Sequence, residues 1–159
     1  MAYTFLRAQG HNVGKSIVEK DKLQLARLLI EKANKQNVKF VLPVDHVVTG
    51  EFNFSAEFVI TTTKKFPRTG IGMDIGPKTI KLFEHYISKA KTIFWNGPLG
   101  VSEFQKFAKG TNEVAKAIAN SKAYTIVGGG DSAKSIEQLN LQDKIDHVST
   151  GGGAALKLI

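Results

Sequence analysis

The sequence predicts an α/β protein with a doubly wound, mostly parallel sheet and helices on both faces, an incomplete Rossmann-like lobe. Two observations lead to this prediction. Three short predicted strands, at residues 92–95, 124–127 and 146–149, are each followed by a glycine-containing turn. Segments with a helical apolar period lie between them. Apolar strands that alternate with helices are typical of parallel sheets covered on both faces.

The first half of the chain predicts a more varied set of elements. The first residues have a helical pattern, and a second helix is expected over residues 21–35 because Leu25, Leu28, Leu29 and Ala33 repeat at helical spacing. Residues 38–42 form a short apolar run that stops at Pro43, which predicts a strand. Residues 49–68 predict short strands or a hairpin. Pro77 suits the first turn of a helix that continues to residue 90.

The second half predicts three strand–turn–helix units. The strand at residues 92–95 leads into a turn at residues 96–100 and then a helix that carries Val114, Ala117 and Ile118 on one face. The strand at residues 124–127 leads into three glycines and a helix over residues 131–139. The strand at residues 146–149 leads into three more glycines, followed by an apolar stretch.

Composition limits the classes of function. The 159 residues include no cysteine, which excludes disulfides, thiolate nucleophiles and iron–sulfur clusters. The formal net charge of +8 indicates an anionic partner. We expect no membrane-spanning helix, because no apolar run is long enough. We also expect no nucleic-acid binding, because aromatic residues do not alternate with the basic run at Lys64, Lys65 and Arg68.

The glycine-rich turns are the candidate chemistry. Ligands of open α/β sheets bind beyond the carboxyl ends of the strands, where glycine lets backbone N–H groups approach a phosphate. Asp131 directly follows the glycines at 128–130. Asp131 has two interpretations: a helix N-cap, or a ligand of Mg²⁺ that bridges nucleotide phosphates. Glu103 similarly suits either a ribose hydroxyl or the first turn of a helix.

Two further segments resemble known loop motifs. Residues 10–16 resemble a Walker A loop, but only three residues separate the glycines and no strand precedes them, so a P-loop is not expected. Residues 128–133 fit the dinucleotide pattern G-x-G-x-x-A, and Asp146 lies 18 residues beyond Gly128, near the position of a ribose-binding acid. An NAD-binding Rossmann domain is therefore the alternative. The four histidines lack metal-ligand spacing.

Three motifs together resemble the phosphoglycerate kinase family in order and spacing. They are Trp-Asn-Gly-Pro-Leu-Gly-Val at 95–101, Gly-Gly-Gly-Asp-Ser at 128–132 and His-Val-Ser-Thr-Gly-Gly-Gly-Ala at 147–154. Further matches lie at residues 1–6, 42–45 and 73–77. The resemblance covers residues 1–159 and implies most of the C-terminal, nucleotide-binding lobe of a two-lobed glycolytic kinase. Ser102 departs from the family, in which an aromatic residue is common there.

The resemblance implies a role for each matching residue. Ile17 and Gly76 would border the adenine, Pro98 and Val101 would lie near the base and ribose, and Glu103 would accept the ribose hydroxyls. Asn96 would lie near the nucleotide phosphates. The remaining expected contacts to phosphates are Gly128, Gly129, Gly130 and Ser132, with Asp131 holding Mg²⁺. As catalytic groups, Gly151, Gly152 and Gly153 would direct backbone N–H groups at the transferring phosphoryl group.

The resemblance also predicts what the protein does. The full enzyme would convert MgADP and 1,3-bisphosphoglycerate to MgATP and 3-phosphoglycerate, as a cytoplasmic monomer. Phosphoryl transfer needs positioning and neutralisation of oxygen charge more than covalent chemistry from protein. The N-terminal, phosphoglycerate-binding lobe and a phosphate-binding lysine of the family have no counterpart in these residues. We therefore expect the 159-residue chain alone to be inactive and at most a weak nucleotide binder.

Overall fold

The computed structural model describes residues 1–149 and residue 151. They divide into two compact units, unit 1 over residues 1–79 and unit 2 from residue 80 onward. Helices combine with one antiparallel and one parallel sheet, each of three strands. The predicted α/β class is confirmed.

Unit 1 contains two helices and the antiparallel sheet. Helix α1 spans Ala2–Ala8, and α2 spans Leu23–Lys35 after a 3-10 turn at Lys20–Lys22. The strands are β1 (Asp45–Thr49), β2 (Phe58–Thr62) and β3 (Ile71–Ile75), in the spatial order β2–β1–β3. Strands β1 and β2 form the hairpin that the sequence predicts, although it begins at residue 45 rather than 49.

The strand predicted at residues 38–42 is wrong. The first N–H group of this segment belongs to the end of α2, because Val38 donates to the carbonyl of Ala33 at 2.9 Å. Asn37, between them, has a left-handed backbone conformation with φ +56°. Val38 and Phe40 are exposed. No described strand pairs with this segment. A strand is stabilised by backbone hydrogen bonds to a neighbouring strand, so an apolar run alone is not enough to predict one.

A partly buried chain of hydrogen bonds links α1 to β1 and to the segment before β1. The Thr63 hydroxyl donates to the carbonyl of Pro43 at 3.0 Å, so its oxygen accepts from His46 Nε2–H, also at 3.0 Å. Neutral His46 then uses Nδ1 as an acceptor for the hydroxyl of Tyr3 at 3.3 Å. His46 is 1% exposed, and burial lowers its pKa to about 4, although Asp45 acts in the opposite direction. The fold therefore requires the neutral imidazole.

Unit 2 contains the parallel sheet, and the chain enters it within α3 (Pro77–Ile87). The strands are β4 (Thr92–Asn96), β5 (Tyr124–Gly128) and β6 (His147–Ser149), in that spatial order. Helix α4 (Lys109–Ala119) connects β4 to β5, and α5 (Gly130–Gln138) connects β5 to β6. The predicted strand–turn–helix order is confirmed for the first two units, and the segment after the third strand lies, apart from Gly151, outside the described residues. The core of unit 2 includes the fully buried side chains of Phe107, Ile118, Val127 and Ile136.

Candidate functional site

The three parallel strands end level with one another. Asn96 pairs with Gly128, and Gly128 pairs with Ser149, so the last residues of β4, β5 and β6 lie side by side. The N–H of Gly129 donates to the carbonyl of Ser149 at 3.0 Å, which joins the turn after β5 to the end of β6. The predicted glycine-rich turns therefore begin at one shared edge, where ligands of parallel sheets bind.

Gly128 lies beneath the side chains of the neighbouring strand. A Cβ on this residue would lie 3.0 Å from Phe94 Cζ and 3.6 Å from Asn96 Oδ1. The Asn96 side chain thus lies against Gly128, and a Cβ at 128 would press on the Phe94 ring. Two predicted ligand-contacting residues are in this way brought together at the strand ends.

The turn after β5 places Asp131 at a helix N-terminus. Gly129, with φ +93°, precedes α5, and no side chain caps the helix. Asp131 lies in the first turn and is exposed. Asp131 is therefore not the N-cap of α5. Its carboxylate accepts no hydrogen bond from the described residues and could bind a ligand.

The turn after β4 is held from within by two hydroxyls. The N–H of Gly97 donates to Ser132 Oγ at 2.7 Å, and Leu99 N–H donates to Thr111 Oγ1 at 3.0 Å. Ser132 and Thr111 are both 0% exposed. In the structure the hydroxyl of Ser132, a residue predicted to lie along the phosphates, binds the neighbouring turn. Sequence reasoning missed Thr111, because a threonine in the first turn of a helix carries no distinguishing signal.

The other predicted contacts of unit 2 lie at its surface. Asn96, Pro98 and Glu103 are exposed, and Val101 is half-buried. Gly151 is also exposed, whereas Gly152 and Gly153 lie outside the described residues. Asn96 and Glu103 therefore offer polar side chains that a ligand could reach.

Two predicted adenine contacts belong to unit 1. Ile17 is 84% exposed. Gly76 follows β3, and its N–H donates to the carbonyl of Asp45 at 2.9 Å. A Cβ on Gly76 would overlap the Asp45 carboxylate, so packing within unit 1 already requires glycine at this position.

Asp146 lies at the opposite end of the parallel strands. Its Oδ2 accepts from the N–H and the hydroxyl of Thr125, each at 2.8 Å, near the start of β5. These bonds lower the pKa of Asp146. The acid that the NAD alternative assigns to a ribose is thus bound to protein at the amino end of the strands, while the glycines lie at the carboxyl end.

Other features of the described residues suggest no competing chemistry. They include no group of three or more histidine, aspartate and glutamate residues that could hold a metal ion. None of their helices has the length and apolar character needed to cross a membrane. A cavity of about 730 Å³ in unit 2 is lined by Glu84, Ser88, Lys116, Ser121 and neighbouring residues, none of which is a predicted site residue.

Comparison with known proteins identifies a family. The family model described as phosphoglycerate kinase matches residues 1–159. The chain is 52% identical over 159 residues to phosphoglycerate kinase of Clostridium tetani and 53% identical to that of Clostridium kluyveri. Each match covers all of this chain and 40% of the relative. Phosphoglycerate kinase from Coxiella burnetii has a TM-score of 0.95 at 41% identity, over 99% of this chain and 41% of that one. The enzyme from Pyrococcus horikoshii has a TM-score of 0.82 at 33% identity, over 99% of this chain and 40% of that one.

Proposed function

Because the chain belongs to the phosphoglycerate kinase family, we propose that its unit 2 binds the adenine nucleotide of that enzyme at the carboxyl edge of the parallel sheet. The full-length enzyme then transfers a phosphoryl group between 1,3-bisphosphoglycerate and MgADP, giving 3-phosphoglycerate and MgATP. The chain spans about 40% of the length of the curated relatives it matches. The whole reaction is therefore a proposal that extends beyond these residues.

The start of α5 is the observation that supports this proposal most directly. The first N–H groups of a helix have no partner within the helix, and its dipole favours a negative group there. Among the described residues, none accepts from the N–H groups of Gly130, Asp131 and Ser132. A Cβ on Gly130 would meet nothing within 4 Å, so there is open space beside the first residue of α5. A phosphate of the nucleotide fits this position.

The residues at the start of α5 also fit a magnesium ion. Mg²⁺ in nucleotide sites takes one or two carboxylates together with phosphate oxygens. The Asp131 carboxylate is exposed in the same helical turn as these N–H groups and accepts no hydrogen bond from the described residues. When bound, Mg²⁺ would neutralise negative charge on the phosphate oxygens. Asp131 would hold it, and the N–H groups would orient the phosphate.

The turn after β4 supplies the nucleoside contacts in this proposal. Glu103 accepts the ribose hydroxyls, Pro98 and Val101 lie near the base and ribose, and Asn96 lies near the phosphates. Contacts from Ile17 and Gly76 to the adenine stay predictions. So do the roles of Gly128 and Gly129 along the phosphates, and of the glycines at 151–153 toward the transferring group.

We further propose that the 159-residue chain has no kinase activity by itself. The phosphoglycerate substrate is expected to contact parts of the enzyme outside this chain, which covers 40% of its relatives. A coupled kinase assay on the purified chain should give no turnover above background, and substantial turnover would contradict this. A monomeric full enzyme in the cytoplasm also stays a prediction.

Calorimetric titration with ADP tests the nucleotide site. Mg²⁺ should strengthen ADP binding to the wild-type chain, and Asp131→Asn should remove that gain because it removes the carboxylate charge. Asp143→Asn, an exposed acid in the 3-10 turn at Gln142–Lys144, is the matched control and should behave as wild type. The proposal fails if the wild-type chain does not bind MgADP or if the chain binds NADH instead.

A further inference from the structure

The turn between β4 and α4 directs its backbone N–H groups into the protein. Gly97 donates to Ser132 Oγ at 2.7 Å. Leu99 and Gly100 both donate to Thr111 Oγ1, at 3.0 and 3.4 Å. The residue between them, Pro98, has no N–H group. Each amide available in residues 97–100 is thus bound to a buried hydroxyl, and none is free to form a cradle for phosphate.

The Thr111 side chain contacts this turn and is not exposed to solvent. It lies in the first turn of α4, and its side chain is 0% exposed. One hydroxyl oxygen therefore fixes two consecutive peptide groups of the turn relative to the start of α4. Loss of that acceptor would leave two partly buried N–H groups without their partner, which is costly.

We propose that Thr111 is a positioning residue for the nucleotide site. Its hydroxyl fixes Leu99 and Gly100 so that the exposed side chains of Asn96 and Pro98 face the ligand. This inference rests on the proposed nucleotide-binding function of unit 2. The two turns then have different roles. The turn after β4 contacts the ligand through side chains, and the start of α5 contributes the N–H groups for phosphate.

A pair of substitutions separates positioning from general stability. Thr111→Val keeps the shape and removes the acceptor, whereas Thr111→Ser keeps the hydroxyl. In hydrogen exchange of the nucleotide-free chain, Thr111→Val should accelerate the Leu99 and Gly100 amides by about tenfold or more, and should weaken MgADP binding by about tenfold. Thr111→Ser should keep the wild-type exchange rates of these amides and the wild-type affinity for MgADP. Unfolding monitored by the single tryptophan, Trp95 in β4, measures the loss of stability separately.

The outcomes distinguish this inference from the proposed function. If wild-type protein does not bind MgADP, the proposed function fails. If wild-type protein binds but Thr111→Val binds equally well, or leaves the two amides protected, the role of Thr111 is wrong. Weaker binding only in proportion to a uniform loss of protection across unit 2 would indicate a merely structural role.

A measurement on the wild-type chain covers the case in which Thr111→Val does not fold. The Leu99 and Gly100 amides should stay protected, with small changes in chemical shift, at saturating MgADP, because they remain bound to Thr111. Large downfield shifts at these two amides would show that they donate to phosphate instead, and would overturn the inference.

Discussion

Gly76 leaves the space that the carboxylate of Asp45 occupies. A Cβ on Gly76 would overlap that carboxylate. Asp45 is buried and accepts the N–H groups of Lys78 at 3.0 Å and Thr79 at 2.7 Å, at the start of α3. A carboxylate at a helix N-terminus satisfies unpaired N–H groups and favours the dipole. Glycine at 76 is therefore needed to anchor α3 to β1, whatever its role toward a nucleotide.

Gly76→Ala should destabilise unit 1. The added methyl group must displace a buried, hydrogen-bonded carboxylate, so we expect a loss of about 1–3 kcal/mol in the free energy of unfolding, the usual cost of overpacking. Urea denaturation measures it. Gly50→Ala is the matched control, because its Cβ would meet nothing within 4 Å and should cost less than about 1 kcal/mol. Equal stability of the two variants would contradict this packing.

The buried His46 makes stability depend on pH. Its folded pKa is about 4, below the ordinary value near 6.5. As the pH falls from about 6.5 to about 4, the unfolded chain takes up the proton and the folded chain does not, so the free energy of unfolding falls by at most about 1.4 kcal/mol per pH unit. Below about pH 4 this contribution is flat. Tyr3, Asp45, Thr63 and Phe66 surround the ring.

Variants of two histidines test the origin of this slope. His46→Gln should flatten the change in unfolding free energy between pH 7 and pH 5, even if its stability at pH 7 is lower. His85→Gln, at an exposed position in α3, should keep the wild-type slope. A slope that survives in His46→Gln would assign the pH dependence to other groups.

Gly130→Ala separates ligand binding from folding. Its Cβ would enter open space at the first residue of α5, so stability should be unchanged or rise by up to about 1 kcal/mol. The methyl group would stand where we propose that phosphate approaches the N–H groups, so MgADP affinity should fall by about tenfold or more. Thermal unfolding and calorimetry on the same sample check both. Unaltered affinity would move the phosphate away from Gly130.

Asp146→Asn should affect folding and leave nucleotide binding alone. The carboxylate accepts two hydrogen bonds from Thr125, which lower its pKa, so its contribution to stability is present at neutral pH and is lost as acid protonates it. We expect a lower melting temperature at pH 7, a smaller difference from wild type in acid, and the wild-type affinity for MgADP. A selective loss of NADH binding would instead support a ribose contact.

The sequence predicted unit 2 well because its signals are local. Each strand there is short and is followed by a turn that contains glycine, so the bounds of the three strands and of α5 shift by only one residue between prediction and structure. The helix predicted from Pro77 to residue 90 ends earlier, at Ile87. The shared edge also follows, because the carboxyl ends of parallel strands must meet at the same side. Asn96, Gly128 and Ser149 are examples.

Features that depend on distant partners could not be predicted from the sequence. Residues 38–42 have the composition of a strand but lack a paired neighbour among the described strands. The roles of Thr111 and Ser132 depend on which N–H groups the fold brings to their hydroxyls. The environment of His46 likewise depends on Tyr3 and Thr63, which lie 43 and 17 residues away.

The most direct test of the nucleotide site is the amide spectrum of the ¹⁵N-labelled chain titrated with MgADP. We expect saturable shifts concentrated at residues 129–132, with smaller ones at residues 96 and 103, and loss of the Mg²⁺-dependent part in Asp131→Asn. No shifts at millimolar MgADP, or shifts centred on the cavity around Glu84 and Lys116, would contradict it.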